Sequence, residues 1–178
     1  MSETPSAALD ELMPRLSTAA NHGVLWLCVA AGLLLTRDQR AARAAWRGLA
    51  GLAVASTASN VIGKGLTGRA RPSGQIPAAR RLSRGPRTTS FPSGHAASAA
   101  AFTTGVALEL PAAAVPVGAL AAAVGASRVV TGVHYPSDVA AGFATGIAAG
   151  LLTLALRPRR LGRARPIQSR PARGPIVR

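Results

Sequence analysis

The amino-acid sequence predicts an all-α protein, an integral membrane helical bundle of about five transmembrane helices. Hydrophobic residues make up 48% of the chain but aromatic residues only 3%, so the apolar content is mostly Ala, Leu and Val. Several long stretches carry no charge at all. Near the end of the chain, three glycines recur at every fourth position, a spacing that lets membrane helices approach closely.

Four uncharged stretches, and a fifth that carries only Arg128 near its end, define the five predicted spans. A helix needs about 20 residues to cross a hydrocarbon core of ~30 Å, and the first stretch reaches that length only if residues 17–23 extend it. We divide the chain into a polar amino-terminal segment (1–23), a membrane domain (24–156) and a basic, disordered cytoplasmic tail (157–178). The stretches are residues 24–36, 48–63, 96–108, 112–131 and 139–156.

The first span has an alternative interpretation as a cleaved signal peptide. The segment before it is acidic, whereas a secretory leader is basic, and no small-residue cleavage site follows before Arg37. We therefore expect a retained span. Cys28, the single cysteine, lies in it, so it forms no intrachain disulfide and is expected to pack in the core or against lipid.

The distribution of arginine predicts the orientation. Arginines collect after the first span and after the last one, and the positive-inside rule assigns such flanks to the cytoplasm. With five spans the amino terminus lies outside, in agreement with its acidic residues. Residues 64–87 break the rule, because they carry seven cations on the predicted outer side: Lys64, Arg69, Arg71, Arg80, Arg81, Arg84 and Arg87.

The tail at residues 157–178 is expected to lie near anionic lipid headgroups. Nucleic-acid binding is another use of an arginine-rich tail. No aromatic residue or recognition motif is interleaved with these arginines, so we expect no nucleic-acid partner.

Two stripes of small residues are predicted to pack helices together. A repeat at every fourth position lies on one helix face and lets a neighbouring backbone come close. Glu109, beside Pro111, is expected in a cytoplasmic turn, where its carboxylate can reach water. The stripes are Gly142, Gly146 and Gly150 in the fifth span, and Gly118, Ala122 and Ala126 in the fourth.

Three polar islands interrupt the apolar sequence: residues 64–72, 91–95 and 127–138. The predicted topology brings all three to the same membrane face. Ionisable groups at such positions are costly unless they pair or line a wet cavity, so they are candidates for function. Together they supply Lys64, Arg71, Arg128, His95, His134 and Asp138.

The cations and one helix start predict a phosphate site. Arg71 and Arg128 can each grip two phosphate oxygens, whereas Lys64, the chain's only lysine, acts as a point charge. Ser93 and Gly94 precede a predicted helix, so their amides and the serine hydroxyl can donate to an anion there.

The remaining polar groups predict group transfer. His134 and Asp138 are four residues apart, which puts them on one helical face if that turn is helical. A carboxylate bonded to one ring nitrogen leaves the other nitrogen free to attack. His95 is then the general acid that protonates the departing oxygen.

The three islands resemble the signature of the type-2 phosphatidate phosphatase superfamily. The matching positions are Lys64, six residues, Arg71 and Pro72; then Pro92 to His95; then Ser127, Arg128, five residues, His134, three residues and Asp138. The family contains membrane lipid phosphatases, soluble acid phosphatases and vanadium haloperoxidases.

The resemblance implies a helical core and a phosphohistidine mechanism without metal or cofactor. His134 would be the nucleophile, Asp138 its partner and His95 the acid. The implied phosphate-binding residues are Lys64, Arg71, Ser93, Gly94 and Arg128. Larger membrane members typically have six spans, one more than we predict here.

We therefore expect a multi-pass membrane phosphatase that hydrolyses a lipid phosphate monoester or diphosphate outside the cytoplasm. The alternative is a non-catalytic basic membrane protein that binds anionic lipid or a partner. A haloperoxidase is disfavoured by the small chain. The sequence leaves polyprenyl diphosphate, polyprenyl-linked sugar phosphate, phosphatidate and phosphatidylglycerophosphate open as substrates.

Two other sites are less consistent with these residues. A hydrolase built on Ser93, His134 and Asp138 would lack the glycine-flanked serine elbow and would leave three cations unused. A zinc site built on His95, His134 and Asp138 has suitable ligand types, but the neighbouring arginines and lysine would repel a dication.

Overall fold

The computed structural model of the chain describes residues 7–65, 68–72, 82 and 88–155. Within these ranges the fold is entirely helical, with six α-helices and no strand, which confirms the predicted all-α class. The predicted tail at 157–178 lies outside the described residues. The helices are α1 (Ala7–Ala19), α2 (Val24–Leu35), α3 (Gln39–Gly65), α4 (Gly94–Ala107), α5 (Pro111–Val130) and α6 (Pro136–Leu152).

Helices α2 to α6 correspond to the five predicted spans, and α1 is an additional helix in the segment predicted only as polar. A short 3₁₀ turn, Asn21–Gly23, separates α1 from α2. His22 and Gly23 have φ of 56° and 73° there, and the two helices are bent by 61°. The first span therefore does not continue straight through residues 17–23, as its predicted extension requires.

Length and composition support fewer spans than the sequence predicts. Of the described helices, α5 alone is long and apolar enough to cross a membrane, and α1 with α2 passes the same criterion if the bent pair counts as one span. Five spans remain a prediction.

Helix α4 is at the centre of the bundle and packs against α3, α5 and α6. It is built largely of alanine, and eight of its 14 residues are buried. Its Phe102 side chain lies against Trp26 of α2, with ring centroids 5.4 Å apart. Small side chains around one large aromatic residue let the neighbouring helices approach closely.

The glycine stripe of α6 forms the contact with α4, as predicted. A Cβ atom on Gly142 would lie 2.5 Å from the carbonyl oxygen of Ser93, and one on Gly150 would lie 2.6 Å from Cβ of Thr104. A Cβ on Gly146 would overlap the carbonyl oxygen of Ala97. The two backbones are thus in direct contact, and the start of α6 is held against the start of α4.

The stripe predicted on α5 is wrong as a packing surface. Ala122 and Ala126 are exposed, and α5 instead buries the face that carries Val117, Val124 and Gly125. Gly125 lets Phe143 of α6 come close on this face, because a Cβ atom on Gly125 would lie 2.6 Å from the Phe143 ring.

At the opposite end from the islands, Glu109 is paired and does not reach water as expected. Its side chain is 10% exposed and lies 3.1 Å from Nε of Arg43 and 2.9 Å from Nε of Arg47. Arg47 also donates to the carbonyl oxygen of Thr153, at 3.1 Å. The start of α3 is thereby joined to the α4–α5 turn and to the end of α6.

Gly146→Ala should lower thermal stability in detergent, because the added methyl group meets the α4 backbone. Overpacking of this kind costs about 1–3 kcal/mol. Gly32→Ala in α2 is the matched control, since a Cβ atom there would meet no described atom within 4 Å outside its own stretch of helix. Thermal unfolding of both variants measures the difference, and equal melting temperatures would contradict the close α4–α6 contact.

Candidate active site

The three islands meet at one end of the bundle, around a cavity of about 680 Å³. The turn between α1 and α2, the second half of α3, the start of α4, the end of α5, the α5–α6 loop, Arg71 and the segment 88–92 surround it. Ser93 and Asp138 are fully buried and are not among its lining residues. The Lys64 side chain lies outside the described part of the chain. The predicted site residues that line the cavity are Arg71, Gly94, His95, Arg128 and His134.

His134 lies in the short loop between α5 and α6, and its backbone N–H donates to the carbonyl oxygen of Arg128 at 3.1 Å. Its Nδ1 is 2.6 Å from the carbonyl oxygen of Ser90. A carbonyl oxygen only accepts, so Nδ1 carries the hydrogen and Nε2 of the neutral ring carries the lone pair. Arg71 Nη1 lies 3.4 Å from that Nε2 atom.

Asp138 does not make the predicted direct hydrogen bond to His134. Its carboxylate is 3.7 Å from Nδ1, because α6 begins only at Pro136 and His134 precedes the helix. Instead, the carboxylate accepts from the Ser90 hydroxyl and from the Tyr135 amide, at 2.9 Å. Asp138 thus holds Ser90, and the carbonyl group of Ser90 orients the imidazole.

Arg69 is a further partner of Asp138 that the sequence analysis did not single out. Its Nη1 donates to Oδ1 of Asp138 at 2.8 Å and to the hydroxyl of Ser137 at 2.9 Å. The guanidinium carbon also lies 4.2 Å from the centre of the Tyr135 ring, a cation–π contact. Arg69 therefore offsets the negative charge of a carboxylate that water does not reach.

Arg71 joins two loops. Its guanidinium donates to the carbonyl oxygens of Thr88 at 3.0 Å, Thr89 at 2.9 Å and Val133 at 2.6 Å. Burial lowers the pKa of Arg71 and the charge of Asp138 partly opposes that effect. This residue holds the His134 loop against residues 88–89. Its Nε, Nη1 and Nη2 atoms all lie against protein acceptors, so its grip on two phosphate oxygens stays a prediction.

Arg128 is fully buried and is anchored by α1. Its Nη1 donates to the carbonyl oxygen of Ser17 at 3.1 Å and to the Ser17 hydroxyl. Its Nε has no hydrogen-bond partner among the described residues. A buried donor without a partner is costly, so this N–H is available for an anion in the cavity.

His95 also has a partner from the amino-terminal segment. Its Nε2 lies 3.0 Å from Oδ1 of Asn21, in the turn between α1 and α2. Because that oxygen accepts, Nε2 carries a hydrogen and Nδ1 is the second position for a proton.

Ser93 caps α4, and only part of its predicted role is available. Its Oγ accepts from the Ala96 amide at 3.4 Å, which leaves the hydroxyl hydrogen free to donate. Its amide already donates to the carbonyl oxygen of Asp138 at 3.0 Å, so the expectation that this amide binds an anion is wrong. The amides of Gly94 and His95 remain, since the first turn of a helix has no intrahelical acceptors.

Four residues that position the site were not predicted from the sequence. Arg69 was within the first island, and Ser90 lies one residue before the second. Asn21 belongs to a polar triplet between apolar runs, which is the one available signal for it. Ser17 carried no signal, because its partner is 111 residues away in the chain.

Comparison with known proteins identifies the family. A decaprenylphosphoryl-5-phosphoribose phosphatase of Mycobacterium tuberculosis is 39% identical over 143 residues, which cover 77% of this chain and 74% of the relative. A lipid A 1-phosphatase of Rhizobium johnstonii is 48% identical over 64 residues, 36% of this chain. The chain spans about a quarter of the length of that second relative, 26%.

Two crystal structures share the fold. The transmembrane PAP2-type phosphatidylglycerolphosphate phosphatase of Bacillus subtilis is 24% identical, with a TM-score of 0.65 over 91% of this chain and 82% of its own. LpxE of Aquifex aeolicus is 22% identical, with a TM-score of 0.67 over 85% and 88%. The family model of the PAP2 superfamily matches residues 44–161. The predicted resemblance is thereby confirmed, and the chain belongs to the PAP2 superfamily.

Proposed function

We propose that this chain is a membrane phosphatase that hydrolyses a lipid phosphate through a phosphohistidine formed on His134. The observation that carries the proposal is the position of His134, which lines the cavity together with Arg71 and Arg128. Its Nδ1 faces the Ser90 carbonyl oxygen, which assigns the lone pair to Nε2. The relatives support the substrate class, because their names describe phosphatases of lipid A and of decaprenylphosphoryl-5-phosphoribose.

The phosphate is bound by donors from several elements. Up to two negative charges have to be held in a site partly screened from water, which favours fixed cations. Arg128 offers its unpaired Nε, and the Ser93 hydroxyl and the amides of Gly94 and His95 lie at the start of α4. Lys64, whose side chain is outside the described residues, is the proposed additional cation.

The reaction has two steps. His134 Nε2 attacks phosphorus, the P–N bond forms, the ester P–O bond breaks, and a protonated His95 gives its second proton to the departing oxygen. Burial and the charges of Arg128, His134 and Arg71 lower the pKa of His95 to about 3 in the ligand-free protein, so His95 takes up this proton when the phosphate anion binds. Water then attacks the phosphohistidine, His95 takes a proton from that water, and inorganic phosphate leaves with His134 restored.

Asp138 and Ser90 support the nucleophile in this scheme. Phosphorylation at Nε2 leaves the imidazole positively charged, with its proton on Nδ1. The Ser90 carbonyl oxygen at 2.6 Å accepts from that nitrogen, and the Asp138 carboxylate at 3.7 Å offsets the charge. This is the part that an orienting carboxylate plays in other histidine sites, although here it acts through Ser90.

We assign the active end of the bundle to the extracytoplasmic face. The arginines at the start of α3 lie at the other end of that helix from the site, and the positive-inside rule favours the cytoplasm for them. The relation to a transmembrane phosphatase supports a membrane location.

The orientation can be tested with single cysteines in a Cys28→Ala background. Gln39 and Ala70 are both exposed and lie near opposite ends of α3. A membrane-impermeant thiol reagent on intact cells should label Ala70→Cys and spare Gln39→Cys, and both should react after lysis. The reverse pattern would mean that the site faces the cytoplasm.

The lowered pKa of His134 gives a pH prediction. Burial, followed by the charges of Arg71 and Arg128, lowers the pKa of His134 to about 4 from 6.5. A lowered pKa keeps the ring neutral and nucleophilic at pH 7, and that state is lost only as the pH falls towards 4. In an NMR titration of the phosphate-free protein, one histidine resonance should titrate with a pKa of about 4. This resonance is assigned to His134 if it is absent from the spectrum of His134→Ala.

Arg71→Gln should raise the His134 pKa in the same titration, because a neighbouring positive charge is removed. A wild-type pKa near 6.5, or no upward shift in Arg71→Gln, would contradict the proposed electrostatics.

Variants of the two histidines should separate their roles. His134→Ala should abolish turnover of every substrate, because no phosphohistidine can form. His95→Ala removes only proton donation, so it should retain more activity on an aryl phosphate, which has a good leaving group, than on an alkyl lipid phosphate. Asp138→Asn should slow both substrates by about 10²- to 10⁴-fold.

Rapid-quench trapping of acid-labile phosphoprotein measures the intermediate directly. His22→Ala, which removes the third histidine, is the control and should still form it. Phosphoprotein that persists in His134→Ala would refute the assignment of the nucleophile. Absence of phosphate release from any lipid phosphate by the purified wild type would favour a non-catalytic lipid-binding protein instead.

A further inference from the structure

We propose that the α3 side of the cavity is a binding subsite for a hydroxyl-bearing headgroup, a sugar or a glycerol, that carries the scissile phosphate. This inference rests on the proposed phosphatase function and specifies the leaving group. The residues that form the subsite are Ser56, Ser59 and Asn60 of α3 and Ser98 of α4, and all of them line the cavity.

These side chains form a polar wall on otherwise apolar helices. Ser56, Ser59 and Asn60 are spaced three and four residues apart along α3, which brings them to one face. Ser56 and Ser98 lie 3.2 Å apart through their hydroxyl oxygens. Such a pair of hydroxyls is also found where the only role is to join two helices. The hydrogen bonding of Ser59 distinguishes that role from ligand binding.

The hydroxyl of Ser59 has no hydrogen-bond partner within the described ranges. Three buried side-chain nitrogen or oxygen atoms among the described residues lack a hydrogen bond: Arg47 Nε, Ser59 Oγ and Arg128 Nε. Arg47 Nε lies 2.9 Å from the Glu109 carboxylate, so its charge is compensated. The other two residues both line the cavity. Unmet polar atoms thus coincide with the place where a ligand would bind.

The wall lies beside the proposed general acid. A Cβ atom on Gly94 would be 3.9 Å from Cβ of Ser59, and His95 is the next residue of α4. Ser98 follows His95 by three residues and therefore lies on the same side of that helix. The leaving oxygen, which takes its proton from His95, is consequently next to this wall.

The geometry of phosphoryl transfer supports the same assignment. The attacking and leaving atoms are roughly in line through phosphorus. His134 comes from the α5–α6 loop, so the leaving group points away from that loop. The hydroxyls that line the same cavity belong to other elements, α3 and α4.

The chemistry of the wall separates the possible substrates. An apolar prenyl chain attached directly to phosphate would leave the Ser59 hydroxyl unpaired, which is unfavourable for a buried polar group. A sugar or glycerol hydroxyl can donate to and accept from it. Polyprenyl-linked sugar phosphate and phosphatidylglycerophosphate meet this requirement through the group that carries their terminal phosphate.

Two matched substrate pairs test the subsite in purified protein. One pair is a polyprenyl-linked sugar phosphate and the polyprenyl phosphate of equal chain length. The other is phosphatidylglycerophosphate and phosphatidate with equal acyl chains. We expect kcat/KM to be at least about tenfold higher for the hydroxyl-bearing member of one or both pairs, as one or two paired hydrogen bonds imply, and the larger ratio distinguishes sugar from glycerol.

Ser59→Ala tests the role of the unpaired hydroxyl. It should lower kcat/KM on the preferred substrate by about five- to tenfold and shrink the ratio within that pair. It should not lower the melting temperature of the ligand-free protein, because it removes a buried group that forms no hydrogen bond to the described residues. Thr57→Ala, on the exposed side of the same helix, removes a hydroxyl that donates to the Ala53 carbonyl oxygen at 3.0 Å and should leave the ratio unchanged.

The outcomes separate this inference from the proposed function. Phosphate release from all four lipids without preference, or with preference for polyprenyl phosphate and phosphatidate, would overturn the subsite and leave the phosphatase intact. The subsite would also be overturned, with the phosphatase left intact, if Ser59→Ala kept the wild-type ratio of kcat/KM within each substrate pair. Release from none of the four would overturn both.

Discussion

The burial of one carboxylate, Asp138, is the constraint on which the active end of the bundle depends. An ionised carboxylate taken out of water is costly unless charges and hydrogen bonds compensate it. Asp138 obtains these from the Arg69 guanidinium, the Ser90 hydroxyl and the Tyr135 amide. Its own carbonyl oxygen accepts from the amide of Ser93. A single residue therefore joins the loop before α4, the start of α4 and the start of α6, and through Ser90 it sets the tautomer of His134.

These contacts require that α4 and α6 lie very close together, which is the function of the small residues. Gly142 lies against the carbonyl group of Ser93, so any side chain there would push α6 away from the cap of α4. The same close packing leaves little apolar surface on these helices to bury. Polar contacts at the far end, where Glu109 pairs with Arg43 and Arg47, join the other ends of the helices. The bundle is thus held at both ends by ion pairs and along its length by backbone contact.

Sequence spacing predicted the all-α fold, the meeting of the islands and the α6 stripe, because each follows from positions along one helix or from the order of helices. It could not predict hydrogen bonds between residues that are far apart in the sequence. Ser17 and Asn21 reach Arg128 and His95 over 111 and 74 residues, and neither belongs to an island. The hydrogen bond between Asp138 and His134 was expected because both residues were assumed to lie in one helix. In the structure, α6 begins at Pro136, two residues after His134. On α5, the pattern of small residues was visible, but the close contact with Phe143 of α6 forms at Gly125, on the neighbouring face.

The cations of the site differ in how many of their donors remain for a ligand. The Arg71 guanidinium donates to backbone oxygens of two loops, so its orientation is fixed before a substrate binds. A charge that is oriented in advance needs no rearrangement in the transition state. Arg128 is fixed in the same way by Ser17, but its Nε stays unpaired among the described residues. The Ser59 hydroxyl, on another helix that lines the cavity, is unpaired in the same sense. In the proposed complex, Arg128 Nε would donate to the phosphate, and the Ser59 hydroxyl would bind the leaving group. A substrate with polar atoms on both sides of the scissile bond would therefore give a hydrogen-bond partner to both unpaired groups.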